Sequence, residues 1–190
     1  MGVSAGCRSA ARSAKGEHRR AITDFEEAIR LNPGHAMTFY HRGNAHADLG
    51  EQDRAIKDFD EAAHLDPNSA VVFNSRGIVY VVKGDIDRAI ADYDRAIRLD
   101  PAHAEAFYNR GFAYGMKGEY ERAIADFTET IKLNASLPAA FSGRAEAYAA
   151  KGDKERAVAD LEQAIQLDPK RGAVMCPKIK AAGLPVQACR

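Results

Sequence analysis

Residues 70–103 read AVVFNSRGIVYVVKGDIDRAIADYDRAIRLDPAH, and residues 104–137 read AEAFYNRGFAYGMKGEYERAIADFTETIKLNASL. The two stretches agree column by column with no insertion. Phe73 and Phe107, Arg76 and Arg110, Gly77 and Gly111, Tyr80 and Tyr114, and Gly84 and Gly118 stand in one register, as do Asp92 and Asp126. A fixed period of this length is the mark of a repeat architecture, so it is read before any local propensity. Ile78-Val79-Tyr80-Val81-Val82 alone has the composition of a buried strand. The aligned residues Asn44 to Asp48 and Phe112 to Met116 do not, and the register predicts helix for all three.

Working outward, the turn dipeptides Asn32-Pro33, Asp66-Pro67, Asp100-Pro101 and Asp168-Pro169 hold the same phase, and Asn134-Ala135 fills the remaining place without its proline. Glycine recurs at Gly16, Gly50, Gly84, Gly118 and Gly152, each of the last four followed by an acid. Alanine recurs at Ala21, Ala55, Ala89, Ala123 and Ala157, and a large residue four places on at Phe25, Phe59, Tyr93, Phe127 and Leu161. Small and large columns in alternation predict two helices per unit, approaching closely where Gly43, Gly77 and Gly111 carry no side chain. The glycine between them tolerates the positive φ that ends a helix, and the acid after it suits the start of the next.

This pattern resembles the tetratricopeptide repeat family, whose signature is an aromatic, a Leu-Gly, a Tyr, then Ala-x3-Phe, Ala and Pro over 34 residues. The resemblance covers Met37 to about Arg171 and, for half a unit, Glu17 to His35. It departs from the family in lacking Trp, and in placing Arg42, Arg76, Arg110 and Arg144 where the family usually has Leu. It implies an all-α fold, a right-handed solenoid of antiparallel helix hairpins. The array is expected over 1–171, with full repeats at 36–69, 70–103, 104–137 and 138–171 and a degenerate or partial repeat at 2–35. Ala5, Ser9 and Arg12 stand there in place of Phe, Gly and Tyr. Residues 172–190 form a tail or partial cap. Its apolar residues Val174, Met175, Ile179, Leu184 and Val186 either cover the last hairpin, lie free, or occupy a groove.

Composition bounds the chemistry. Lys plus Arg equals 27 and so does Asp plus Glu, so the formal net charge is zero and no basic excess points to nucleic acid. No apolar run approaches the ~20 residues of a spanning helix, which argues against direct membrane insertion. Cys7, Cys176 and Cys189 show no CxxC spacing, so neither a zinc site nor a disulfide framework is legible, and a reducing, cytoplasmic setting is the simpler expectation. A periplasmic setting follows instead if the native start lies upstream. The six histidines form no HExxH or His-x3-His pair, and no phosphate-binding glycine loop occurs. Acid pairs such as Asp58/Asp60 and Asp92/Asp94 are frequent on the second helices and read as solvated faces. The expectation is no enzyme, no cofactor and no metal.

Two charged columns read as structural. Arg42, Arg76, Arg110 and Arg144 on the first helices can reach Asp58, Asp92, Asp126 and Asp160 on the second. The rival is an i,i+4 pair from Arg54, Arg88, Arg122 and Arg156 within the second helix, worth only ~0.2–0.5 kcal/mol. The inter-helix pair is preferred, since Arg replaces a packed Leu.

The resemblance further implies that the first helices line a concave groove where partner peptides lie. Its inward columns hold Met37, Tyr40 and Asn44, then Val71, Asn74, Ile78 and Val82, then Tyr108, Phe112 and Met116. Only Asn44 matches the family's carboxylate clamp for acidic chain ends. The expected activity is that of a scaffold or adaptor holding an apolar or amphipathic segment of another protein. The alternatives are self-association into a homo-oligomer, or a repeat region of a larger enzyme or secretion component. Adjacent first helices burying these residues against each other would leave no patch at all.

Overall fold

The computed structural model describes residues 5–170 together with Cys176, Ile179 and Gly183; for residues 5–15 it describes the backbone only. Every regular element among them is an α-helix. They are α1 (Ala5–Leu31), α2 (Ala36–Asp48), α3 (Gln52–Leu65), α4 (Ala70–Val82), α5 (Ile86–Leu99), α6 (Ala104–Met116), α7 (Tyr120–Leu133), α8 (Pro138–Ala150) and α9 (Lys154–Leu167). The strand-like run Ile78 to Val82 lies within α4, so tertiary packing overrides local propensity there. The chain divides into two compact units, Met1–Leu99 and Asp100–Arg190.

In the first unit, α2 pairs with α3 and α4 with α5, and α3 stacks on α4. Its core gathers Phe39, Ala55, Phe59, Ala62, Val72 and Val79. In the second unit, α6 pairs with α7 and α8 with α9, and α7 stacks on α8. The glycines of the first helices make these pairings tight. A Cβ on Gly43 would sit 2.9 Å from the Phe59 ring, and one on Gly77 2.6 Å from the Tyr93 ring. Tyr93 is 1% exposed and cannot easily retreat.

Gly50, Gly84, Gly118 and Gly152 have φ between 75° and 82° and terminate α2, α4, α6 and α8. The acid that follows closes each end, its N–H donating to the carbonyl of His46, Tyr80, Tyr114 or Tyr148 at 2.8–2.9 Å. Asp85 and Asp153 also accept through their side chains from the N–H groups of Arg88 and Arg156.

Between hairpins the turn is made by a side chain rather than by proline. Asn32, Asp66, Asp100, Asn134 and Asp168 each accept, through Oδ1, the N–H two residues on, at 3.0–3.3 Å. Asn134-Ala135 keeps this bond, so its missing proline leaves the register intact.

The Arg column staples each hairpin across its two helices. Arg42 donates to both oxygens of Asp58 at 2.9 and 2.6 Å, and Arg76 to both of Asp92 at 2.8 and 2.7 Å. Arg110 grips Asp126 at 2.8 and 2.7 Å, and Arg144 grips Asp160 at 2.8 Å twice. Each guanidinium also lies over the aromatic three residues before it, at 5.4–5.8 Å from Phe39, Phe73, Phe107 or Phe141. Arg76 and Arg144 reach one hairpin further, to Asp60 at 2.6 Å and to the Thr128 hydroxyl at 3.1 Å. The second-helix arginines turn elsewhere. Arg88, Arg122 and Arg156 pair with Asp85, Glu119 and Asp153 and cover Tyr80, Tyr114 and Tyr148 at 4.0–4.7 Å.

The two ends depart from the hairpin pattern. α1 runs through Gly16 without a turn, and Gly16 is not among the positive-φ residues. With Ala5, Ser9 and Arg12 in the aromatic, glycine and tyrosine columns, the sequence supplies no wedge for a separate first helix to pack under, and the helix simply continues. At the other end, Ile179 is buried in a cluster with Ala145, Leu161 and Ile165, and Cys176 packs against it. Cys176 is disulfide-bonded. Val174, Met175, Leu184 and Val186 also lie outside them.

Candidate partner-binding surface

Each first helix has one face in its hairpin and one face away from it. On α4 the hairpin face carries Val72, Gly77, Val79 and Tyr80, all buried. The other face carries Val71, Ile78 and Val82, the last two 43% and 64% exposed. On α6, Ala106, Gly111, Ala113 and Tyr114 are buried, while Phe112 and Met116 are 49% and 54% exposed. The stapled arginines fix this orientation. Bonding to Asp92 holds the Arg76 guanidinium above its ordinary pKa against the opposing effect of burial, and bonding to Asp160 does the same for Arg144. A helix with two apolar faces, one of them solvated, is a surface that can accept a partner. Ile78 and Val82 on α4, and Phe112 and Met116 on α6, stay exposed.

The remaining sequence candidates divide. Met37 and Asn44 are half-buried on α2. Tyr40 leans on the first core, its ring 6.0 Å from that of Phe59. Tyr108 does likewise, 5.7 Å from Phe127. Asn74 is 4% exposed, so it belongs to the packing and cannot present its amide to a ligand. Four residues turn a helix through ~400°, which carries position 74 some 40° round from position 78 and off the solvated stripe. Ser142 in the same column is buried too, donating to the Pro138 carbonyl at 3.0 Å.

One feature escaped the sequence reading. In the second unit a cavity of about 350 Å³ opens beside Phe112 and Met116, bounded by Tyr120, Phe127, Gly143 and Glu146. Its room comes from two glycines. Gly115 stands in the register position of Val81, and a Cβ there would meet nothing within 4 Å. Gly143 lets Phe127 form the floor, since a Cβ on it would lie 2.6 Å from that ring. The signal was present as two glycines outside the repeat's own glycine columns.

Among the described residues no group of three or more His, Cys, Asp or Glu is placed to hold a metal ion. No described helix is long and apolar enough to cross a membrane.

Models of the tetratricopeptide repeat match residues 11–70, 104–137 and 138–171, and a TPR repeat model matches 77–118. No curated protein sequence matches significantly. Among solved structures, MamA is 26% identical with a TM-score of 0.76, over 85% of this chain and 95% of MamA. YrrB, described as a TPR protein with an unusual peptide-binding site, is 23% identical with a TM-score of 0.72, over 87% and 86% of the two chains. The first TPR of Spaghetti, bound to an HSP90 peptide, is 22% identical with a TM-score of 0.61, over 62% of this chain and 93% of that one. The fold class is the all-α helical solenoid.

Proposed function

The chain belongs to the tetratricopeptide repeat family, a family of protein–protein interaction scaffolds, and from that premise we propose that it holds a segment of another polypeptide against the solvated face of its first helices. The reading is non-catalytic. The observation that carries it is the exposure of Ile78, Val82, Phe112 and Met116 on helices whose other face is already packed. Two proteins of the same fold, YrrB and Spaghetti, are described as binding peptides, which supports the class of ligand. The apolar residues on each of these faces set it apart from a clamp for an acidic chain end. Ile78 and Phe112 stand where such a clamp needs polar groups.

Binding energy at such surfaces concentrates in a few large side chains, whose truncation costs ~2 kcal/mol or more. The test is a partner isolated by pull-down, then titrated against wild type and Phe112→Ala at low and high salt. The expected result is a loss of about thirtyfold on Phe112→Ala. A partner released by salt and indifferent to Phe112→Ala would point to the charged columns and overturn the reading.

A further inference from the structure

Among the described residues, the solvated face of the second unit's first helices presents charge of one sign only. On α6 it presents Glu105, Phe112 and Met116 beside the half-buried Tyr108, and on α8 Glu146 and Ala150. Glu105 and Glu146 are exposed, and among the described residues no hydrogen bond or ion pair reaches either carboxylate. Other acids of the unit are engaged: Glu119 by Lys117 and Arg122, Glu121 by Lys151, Glu129 by Lys132 and Asp153 by Arg156. The two lysines nearest the face, Lys117 and Lys151, are therefore already paired. Glu146 borders the cavity beside Phe112 and Met116. A carboxylate without a partner, on the wall of an apolar cavity, favours a ligand that is apolar at one side chain and positive at a neighbouring one. The cavity lies at the small end of ligand pockets, ~300–1,000 Å³, which suits a side chain or two.

We infer that this cavity seats an apolar side chain of a cationic amphipathic segment of another polypeptide, with a Lys or Arg of that segment against Glu146. The inference rests on the partner-binding reading above and adds the sign of the ligand's charge and the place where it anchors. An acidic segment is disfavoured there, because it would meet the carboxylates of Glu105 and Glu146.

The experiment selects a random peptide library on the full chain, then titrates the enriched peptides against wild type, Glu146→Lys, Phe112→Ala and Gly115→Leu. Glu146 and Phe112 are exposed, and a side chain at Gly115 would point into open space, so each variant should fold, as its circular dichroism and melting will confirm. The expected peptides combine Leu, Met or an aromatic residue with Lys or Arg. They should weaken roughly three- to tenfold on Glu146→Lys, the scale of reversing one exposed charge. They should lose about thirtyfold on Phe112→Ala and bind poorly to Gly115→Leu, which fills the cavity. Peptides that need Phe112 but show no basic excess, or ignore Glu146→Lys, would overturn the charge inference and leave the groove reading standing. Peptides that need Phe112 but tolerate Gly115→Leu would overturn the anchor site. Enriched peptides indifferent to Phe112→Ala, or no enrichment at all, would overturn both readings.

Discussion

Replacing Arg76 by Leu, the residue the family usually carries at that position, should destabilise the first unit rather than restore it. Arg76 holds both oxygens of Asp92 at 2.7 and 2.8 Å, and Asp92 is 6% exposed. The substitution would strand a buried carboxylate. Breaking a buried pair from one side costs ~3–5 kcal/mol, and the partial exposure of Arg76 places this case near the lower bound, about 3 kcal/mol. For a chain of this size that is a fall in Tm of roughly 6–12 °C. Arg76→Leu with Asp92→Ala removes both charges and should recover most of the loss, because two apolar groups in place of a buried pair are close to neutral. Asp92→Ala alone should cost less than Arg76→Leu, since Arg76 would keep its bond to Asp60 at 2.6 Å. Arg88→Ala should cost far less than Arg76→Leu, because Arg88 is exposed and its ion pair with Asp85 is a surface one. The assay is urea unfolding followed by circular dichroism, comparing slope as well as midpoint, since repeat arrays can unfold in steps. Arg76→Leu within about 0.5 kcal/mol of wild type would refute the staple, as would a double variant that loses the total of the two single effects.

Other outcomes follow from the same packing. Gly77→Ala gains ~1 kcal/mol of helix propensity but drives a methyl to 2.6 Å from the buried Tyr93 ring, so a net loss of about 1 kcal/mol is expected, whereas Gly115→Ala, with nothing within 4 Å, should gain up to ~1 kcal/mol; melting of both variants checks the contrast. Burial, aided by the charge of Asp92, pushes the Tyr93 phenol well above its ordinary range. The folded chain then keeps that proton after the unfolded chain has lost it near pH ~10, so stability falls as pH rises beyond that point. Tyr93→Phe should blunt the alkaline fall, and an unchanged pH profile would count against the burial argument. Ala135→Pro restores the residue found at the same place in the other inter-hairpin turns and should stabilise by ~0.4–1 kcal/mol, read as a rise in urea midpoint.

The repeat made most of the fold legible because each column was sampled several times. Gly84 and Gly118 could be assigned to positive φ, and Arg76 to Asp92, because the copies at Gly50 and Arg42 showed the same residues under the same constraint. Legibility failed where a position had no second copy. Gly16 shares the glycine column, but a hairpin turn also needs an aromatic and a tyrosine column to pack on, and α1 has neither. The sequence named proline as the mark of the inter-hairpin turn; Asn134 shows that the side-chain acceptor makes the turn and proline only accompanies it. On the candidate surface, Ile78, Val82, Phe112 and Met116 are exposed, whereas Asn74 is buried. A helix column read at intervals of four drifts round the axis, and the drift is enough to move a side chain from solvent into a packed seam. The cavity at Gly115 and Gly143 was harder to read, because its only signal is two glycines outside the repeat's glycine columns, and no single column records the room they leave.

The arginine staple also bears on function. A Leu at positions 42, 76, 110 and 144 would hold a hairpin by apolar contact alone, which tolerates sliding and repacking. A guanidinium that grips both oxygens of one carboxylate fixes distance and angle together. In Arg76 and Arg144 the same group also reaches a residue of the preceding hairpin, Asp60 or Thr128, so it sets the stacking within each unit as well as the pairing. The orientation of the first helices is then secured from the hairpin side, and their opposite face need contribute nothing to folding. That is the physical condition under which Ile78, Val82, Phe112 and Met116 can remain exposed without being needed by the core. It is also why Phe112→Ala should leave melting nearly unchanged while removing a binding anchor. A coupled loss of stability and binding in that variant would mean that the two faces are not independent.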